Sequence, residues 1–274
     1  MKRSVFATPY IVWMIMFIVI PMLFILYSAF IKDGQFTLEY VRQAMESPKY
    51  MNVLLRSIVI ALISTALCLL IGYPVAYILS NMKKSTAAIL SMFFILPMWM
   101  NFLLRTYAWQ VVLADNGVLN MLLTSLGFPK GEFMYTQGAV LLVTVYNFLP
   151  FMILPIYTVL SKIDRSHIEA AHDLGANSIK TFFKVVLPLS VPGIISGITM
   201  VFIPAITTFA ISRLIGGKNV ALYGDLIEEK IVSSGSLGLG SVLSIILLVL
   251  VIISIFVMHR MEVEQGNEEG GTLW

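Results

Sequence analysis

Six long apolar stretches set the limits on what this chain can become. They run Tyr10 to Ile31, Val53 to Leu79, Ala87 to Val112, Gly138 to Leu160, Leu189 to Ser212 and Ser241 to Met258, rich in Leu, Ile, Val, Phe and Met and without strand-like alternation. A bilayer core about 30 Å thick takes ~20 mostly apolar helical residues to cross, because unpaired backbone N–H and C=O groups cannot be left in hydrocarbon. The pattern predicts an all-α integral membrane protein with six transmembrane helices. Composition agrees: 58% of the 274 residues are hydrophobic and 12% charged, which excludes a soluble globule. With 18 Lys+Arg against 15 Asp+Glu there is no basic footprint for nucleic acid; the expected solvent is membrane lipid. The single cysteine, Cys68, excludes an intramolecular disulfide and a multi-cysteine metal site.

Lys2 and Arg3 precede a first stretch of about 22 residues, longer than the apolar region of a secretory signal, so it reads as an uncleaved first span. Placing the N-terminus in the cytoplasm puts nine Lys/Arg inside and seven in outer loops, with Arg56 and Arg105 within spans. The bias is slight, but the Lys83-Lys84 pair lies in a short turn, the loop class for which positive charge counts most. Both termini are then cytoplasmic. The acidic tail, Glu262 to Glu269, carries glycines that suit a mobile end. Lys32 to Asn52, Leu113 to Gln137 and Arg213 to Gly240 become outer loops, long beside the ~2–8 residues of simple helix connections.

The segment Ser161 to Pro188, between the fourth and fifth spans, is polar but patterned. Ser166 followed by Glu169 fits a capping box and predicts a helix start. Ile168, Ala171 and Leu174 continue as an apolar stripe, and Gly175 supplies the left-handed residue that ends a short helix. Asn177 or Ser178 then caps a second helix through Ile179, Phe182, Phe183 and Val186, with Pro188 expected to stop it. The expected product is a helix–turn–helix on the cytoplasmic face. Ala170 and Ala171 are small enough to let another surface approach its backbone.

Glu169-Ala170-Ala171, Gly175 and, nine residues on, Val185-x-Leu187-Pro188 resemble the EAA loop of the membrane subunits of type I binding-protein-dependent ABC importers, with Val185 where that pattern usually has Ile. The resemblance implies a MetI-like permease fold whose cytoplasmic coupling helix docks on a separate ATPase, with Glu169, Ala170, Ala171, Gly175, Leu187 and Pro188 as the coupling residues. It divides the chain into 1–52 (first span and outer loop), 53–258 (permease domain, coupling loop 161–188) and 259–274 (cytoplasmic tail). Leu96-Pro97-x-Trp99-x-Asn101, Arg105-Thr106-Tyr107-Ala108-Trp109, Asn116-Gly117-x-Leu119-Asn120, Leu149-Pro150-Phe151-Met152 and Gly216-Gly217-Lys218-Asn219 are similar to the spermidine/putrescine branch of that family. That branch implies a sister permease, two ATP-binding subunits and an extracytoplasmic polyamine-binding protein, in a cell-membrane complex. Other small-solute permeases share parts of the third-span motif.

No cofactor is expected in this chain; ATP and Mg belong to the partner ATPase. Gly216-Gly217-Lys218-Asn219 does not form a phosphate loop, since Ser212 stands where the first glycine is required and Asn219 replaces Ser/Thr. Gly235 to Gly240 reads as an outer loop or a re-entrant bend. The six stretches contain no Asp or Glu, whereas ion-coupled carriers commonly place a carboxylate at mid-membrane. The expected path is therefore lined by aromatic faces and carbonyls, with cation–π contacts of ~0.5–2 kcal/mol each. Its candidates are Trp99, Asn101, Tyr107, Trp109, Tyr146 and Asn147, and the candidate outer mouth is Asp225 with Glu228.

Each candidate has a plainer role open to it. The tryptophans and Tyr107 suit interfacial anchoring or packing, Asn101 and Asn147 suit hydrogen bonds between helices, and the acids suit a solvated charge run. Arg105 would repel a polyamine and is expected to snorkel outward or pair with an acid such as Asp115. Gly193, Ser196 and Gly197 suit close helix contact with a partner. The alternatives to a polyamine permease are a permease for another small solute, such as an amino acid, and a membrane scaffold that moves no solute.

Overall fold

The computed structural model describes the backbone of residues 4–271 and the side chains of residues 9–261, so Lys2, Arg3 and the side chains of the acidic tail lie outside the described residues. The first span, Pro9–Phe30, combines α1 (Ser4–Met14), a π turn at Ile15–Val19 and α2 (Ile20–Phe30). The π turn sits just ahead of Pro21, which has no N–H to give and whose ring crowds the carbonyl one turn back. Shifting Ile20 N–H onto the Ile15 carbonyl relieves both faults. A tight hairpin of β1 (Ile31–Lys32) and β2 (Gln35–Phe36) turns through Asp33 and Gly34, both at positive φ. It leads into the short α3 (Glu39–Glu46) and then the long span α4 (Pro48–Ser80).

The third apolar stretch is not one helix. It divides into α5 (Lys84–Trp99) and α6 (Phe102–Leu113), continued by α7 (Val118–Ser125), and the two limbs meet at 92°. Pro97 weakens the end of α5, Met100 is extended, and the Asn101 side chain restarts the helix by accepting the Leu103 N–H at 2.8 Å. By length and composition five helices can cross a membrane, and a sixth if the bent pair counts as one span.

The remaining spans are α8 (Gln137–Leu160), the run Ser178–Thr207 and the apolar part of α13 (Leu237–Gly271). Between α8 and that run lies α9 (Arg165–Asp173). The run itself joins α10 (Ser178–Thr181), a second π turn at Phe182–Val186 and α11 (Leu187–Thr207). Pro188 therefore does not stop the helix as expected. The same device as at Pro21 applies: Leu187 N–H reaches the Phe182 carbonyl, and the chain passes through the proline still helical. The α13 backbone is helical through Gly266 to Gly271.

The centre of the molecule is the mutual packing of α4, α8 and α11, with α13 laid against α2 and α11. Lipid tails are as apolar as leucine, so helices in a bilayer associate through close fit rather than water exclusion. Glycines supply that fit. A Cβ at Gly193 would lie 3.1 Å from the Ile156 Cα and the Pro155 carbonyl, and one at Gly197 would lie 2.7 Å from Met152 Sδ. Gly193 and Gly197 of the fifth span thus seat the fourth span of the same chain.

Two segments expected as open outer loops are folded. In residues 113–137, the buried Asn120 clamps Gly131, accepting its N–H at 2.8 Å and donating to its carbonyl at 3.0 Å. In residues 208–236, a π turn (Ser212–Gly216) and α12 (Tyr223–Glu228) bury Ile211, Ile215, Leu222, Tyr223 and Leu226. Tyr223 N–H bonds Ser57 Oγ of α4 at 2.8 Å, which fixes this cap to the central bundle. Gly217, at φ +55, passes over the Tyr135 ring. Gly238 and Gly240 are buried in the first turn of α13 against Tyr40 and Ile231, so Gly235 to Gly240 opens a span instead of forming a re-entrant bend.

Candidate functional site

The candidate residues fall at two ends of the bundle. At one end stands the elbow between α8 and α11. Its helix α9 starts two residues earlier than the capping box predicts: Asp164, not Ser166, is the N-cap, its Oδ1 accepting the Ser166 N–H at 3.0 Å. That backbone hydrogen bond holds the Asp164 carboxyl below the usual carboxylate range. The helix ends as expected. Gly175 takes φ +77, Ala176 N–H bonds the Ala171 carbonyl at 3.0 Å, and Gly175 N–H bonds the His172 carbonyl at 2.8 Å, closing a Schellman turn. Asn177 then caps the next helix by accepting the Lys180 N–H at 2.9 Å.

What the elbow presents is unusual for a polar connection. Glu169 and Ala170 are exposed, and Leu174, Ile179 and Phe183 stand out at 89%, 69% and 60% exposure. Leu187 is half-buried and Pro188 exposed where the elbow joins α11. Its base is firm: Phe182 meets Tyr73 and Tyr77 of α4 edge-on, at ring-centroid distances of 5.8 and 5.4 Å, and the Tyr73 hydroxyl lies 2.9 Å from Ser190 Oγ. An exposed apolar and acidic tip on a rigid helical base suits transmission of force between a docked partner and the bundle.

Away from the elbow the structure brings together only some of the path candidates. Trp109 of α6 and Tyr146 of α8 meet edge-on at 5.2 Å, next to a second contact between Phe102 and Phe148 at 6.2 Å. Trp99 and Asn101 lie apart from them at the break, Trp99 81% exposed and Asn101 engaged as a cap. Asn147 is buried and donates to Val143 of its own helix at 3.0 Å, so neither asparagine bonds between helices. Tyr107 is half exposed. Arg105 neither snorkels nor pairs with Asp115. It is 7% exposed, and its Nε and Nη1 have no hydrogen-bond partner.

Asp225 and Glu228 do share a cavity, of about 400 Å³, but it is not a purely acidic mouth. Lys49, Arg213 and Lys218 line it with them, and Arg213 pairs with Glu228. That hydrogen-bonded partner raises the Arg213 guanidinium above its ordinary value. Asp225 Oδ2 accepts the Leu222 N–H at 2.8 Å, while Oδ1 has no partner, the Ser212 hydroxyl being committed to the Phe209 carbonyl. Burial pushes the Asp225 carboxyl up. The three cations of this cavity were not singled out from sequence. Lys49 comes from the first turn of α4, and no local spacing announces it.

A bundle of apolar spans with an exposed helical elbow at one end and a charged, folded cap at the other defines a multi-span membrane component. The family model for the binding-protein-dependent transport system inner membrane component matches residues 68–262, and the chain belongs to that family. The spermidine/putrescine transport system permease protein PotB of Haemophilus influenzae is 38% identical over 257 residues, covering 90% of each chain. The protein of that name from Escherichia coli is 34% identical, covering 90% of this chain and 93% of its own. Among solved structures, a bacterial ABC transporter involved in import of the acidic polysaccharide alginate has the same fold, with a TM-score of 0.81 at 15% identity over 94% of both chains.

Proposed function

We propose that this chain is the permease subunit of an ATP-driven importer of polyamines, spermidine and putrescine, and that residues 161–188 couple it to a separate ATPase. The observation that carries the reading is the 38% identity to a spermidine/putrescine permease over nine tenths of both chains. The geometry supports a mechanism. Closure of two ATP-binding subunits pushes on α9 through Glu169, Ala170, Ala171 and Gly175, and the Phe182 clamp passes the movement to α4 and α11. Because α11 is continuous with the elbow through Leu187 and Pro188, a tilt of the elbow tilts the span. The bundle then rocks against a sister permease between inward- and outward-facing states.

In this reading both termini are cytoplasmic, and ATP and Mg sit on the partner. An extracytoplasmic polyamine-binding protein delivers the solute at the cap of α12. A polycation passes aromatic faces at Trp109, Tyr146 and Tyr107, with Trp99, Asn101 and Asn147 around the broken third span. Asp225 and Glu228 attract it at the mouth, moderated by Arg213 and Lys218.

Competition uptake with putrescine, spermidine and an amino acid, in vesicles holding the complete importer, tests the substrate. Preference for the amino acid overturns the polyamine assignment and leaves the permease standing. Cross-linking from a cysteine placed at Ala170, in a Cys68→Ser background, tests the coupling; an ATP-hydrolysing neighbour is the expected product.

A further inference from the structure

A separate cavity, of about 190 Å³, opens at the elbow end between the α4–α5 turn, the foot of α8 and the start of α9. Two cations line it, Lys84 at the start of α5 and Arg165 at the start of α9, and no carboxylate does. Ser80, Asn81 and Ser161 also line it, their side chains donating to the Tyr77 and Thr158 carbonyls, and Leu79, Leu160 and Ile168 make an apolar floor. Lys83 and Lys162 flank it in sequence and are exposed.

None of these four cations belongs to an ion pair among the described residues, where the paired cations are Lys32, Arg42, Arg213 and Lys230. The nearest acid in sequence, Asp164, has its Oδ1 engaged by the Ser166 N–H at 3.0 Å. Like charges converging on one cavity repel unless an anion lies between them. A basic rim above an apolar floor, at the ends of membrane spans, matches a molecule with an anionic head and a hydrocarbon tail.

We propose that this cavity binds an anionic phospholipid, its headgroup phosphate held between Lys84 and Arg165 and its first acyl carbons on the Leu79–Leu160 floor. The lipid ties the α4–α5 turn to α9 and so braces the elbow. Only this bracing role rests on the coupling function proposed above; the binding stands on the cavity alone.

The test uses the full chain in its complete transporter, reconstituted in phosphatidylcholine nanodiscs with or without phosphatidylglycerol. Native mass spectrometry then reads the phosphatidylglycerol retained on the permease. Replacing both cations (Lys84→Gln with Arg165→Gln) is expected to lower retention about 10- to 30-fold, the loss that follows from removing two basic side chains near an anionic headgroup. The charge-conserving pair Lys84→Arg with Arg165→Lys is expected to keep it. Equal retention in the glutamine variant overturns the proposal, and so does equal loss in the charge-conserving one. Complete displacement of the lipid by inorganic phosphate marks a site for a soluble anion and overturns it as well. Retention requires neither polyamine nor ATP, so failure here leaves the importer reading intact, and failure of uptake leaves the lipid site intact.

Discussion

Asn120 shows how a single polar side chain organises the segment between α6 and α8. Its amide satisfies both backbone groups of Gly131, 11 residues away, from a fully buried position. Asn120→Ala leaves those groups unpaired and is expected to cost ~1–3 kcal/mol, measurable as a lower thermal midpoint in detergent. Two aspartates are expected to respond to pH with opposite signs. Asp225 is raised by burial, so the folded state holds its proton more tightly than the unfolded state does. Its stabilising effect is complete below the ordinary value of 3.8 and is lost as pH rises through the raised one. Asp164 is lowered by the Ser166 N–H, so its cap is intact above 3.8 and is lost as pH falls through the lowered value. Melting Asp225→Asn beside the parent protein across acidic pH checks the first sign, since the variant should lose the decline with rising pH.

At the scale of elements, the elbow depends on a turn that only certain residues can make. No atom lies within 4 Å of a Cβ built at Gly175, so the constraint is its φ of +77 and not space. Gly175→Pro imposes the opposite sign of φ and deletes the N–H that bonds His172, a local cost of roughly 1–3 kcal/mol. The expected result is normal membrane insertion with ATP hydrolysis separated from uptake, read as the ratio of polyamine imported to ATP consumed. Gly175→Asn, which tolerates the left-handed region, is expected to preserve coupling. Two of the π turns, Ile15–Val19 and Phe182–Val186, belong to this scale too. Each lies immediately before an X-Pro step, at Ile20-Pro21 and Leu187-Pro188, and lets a span continue where a plain α-helix would break.

For the whole molecule, the close approach of α11 to α8 holds the bundle together. Gly193→Leu forces a branched side chain against the Ile156 backbone and is expected to cost ~1–3 kcal/mol through overpacking. The measurement is resistance to aggregation on heating in detergent. Gly34→Ala, at a surface turn with no atom within 4 Å of the added Cβ, serves as a distant control in which only the local φ is penalised. The first span has a different standing: its apolar window buries none of its residues inside the chain, so lipid or partner helices must cover it.

The residues alone determined the solvent, the number and order of the apolar segments, and the elbow with its Gly175 turn and a cap at Asn177 or Ser178. These are local: they follow from segment length, periodicity and the hydrogen bonds available within one turn. The residues of the EAA-like motif were legible for the same reason, because Glu169 to Pro188 is one continuous piece of chain. Tertiary structure decided where the third stretch breaks, since a proline near a helix end is compatible with either a kink or a corner until neighbours are placed. It also decided that Arg105 is buried without a partner for Nε and Nη1, and that Lys49, Arg213 and Lys218 join Asp225 and Glu228 in one cavity. Those facts depend on which distant segments become neighbours in space, and no spacing along a single chain specifies such a meeting.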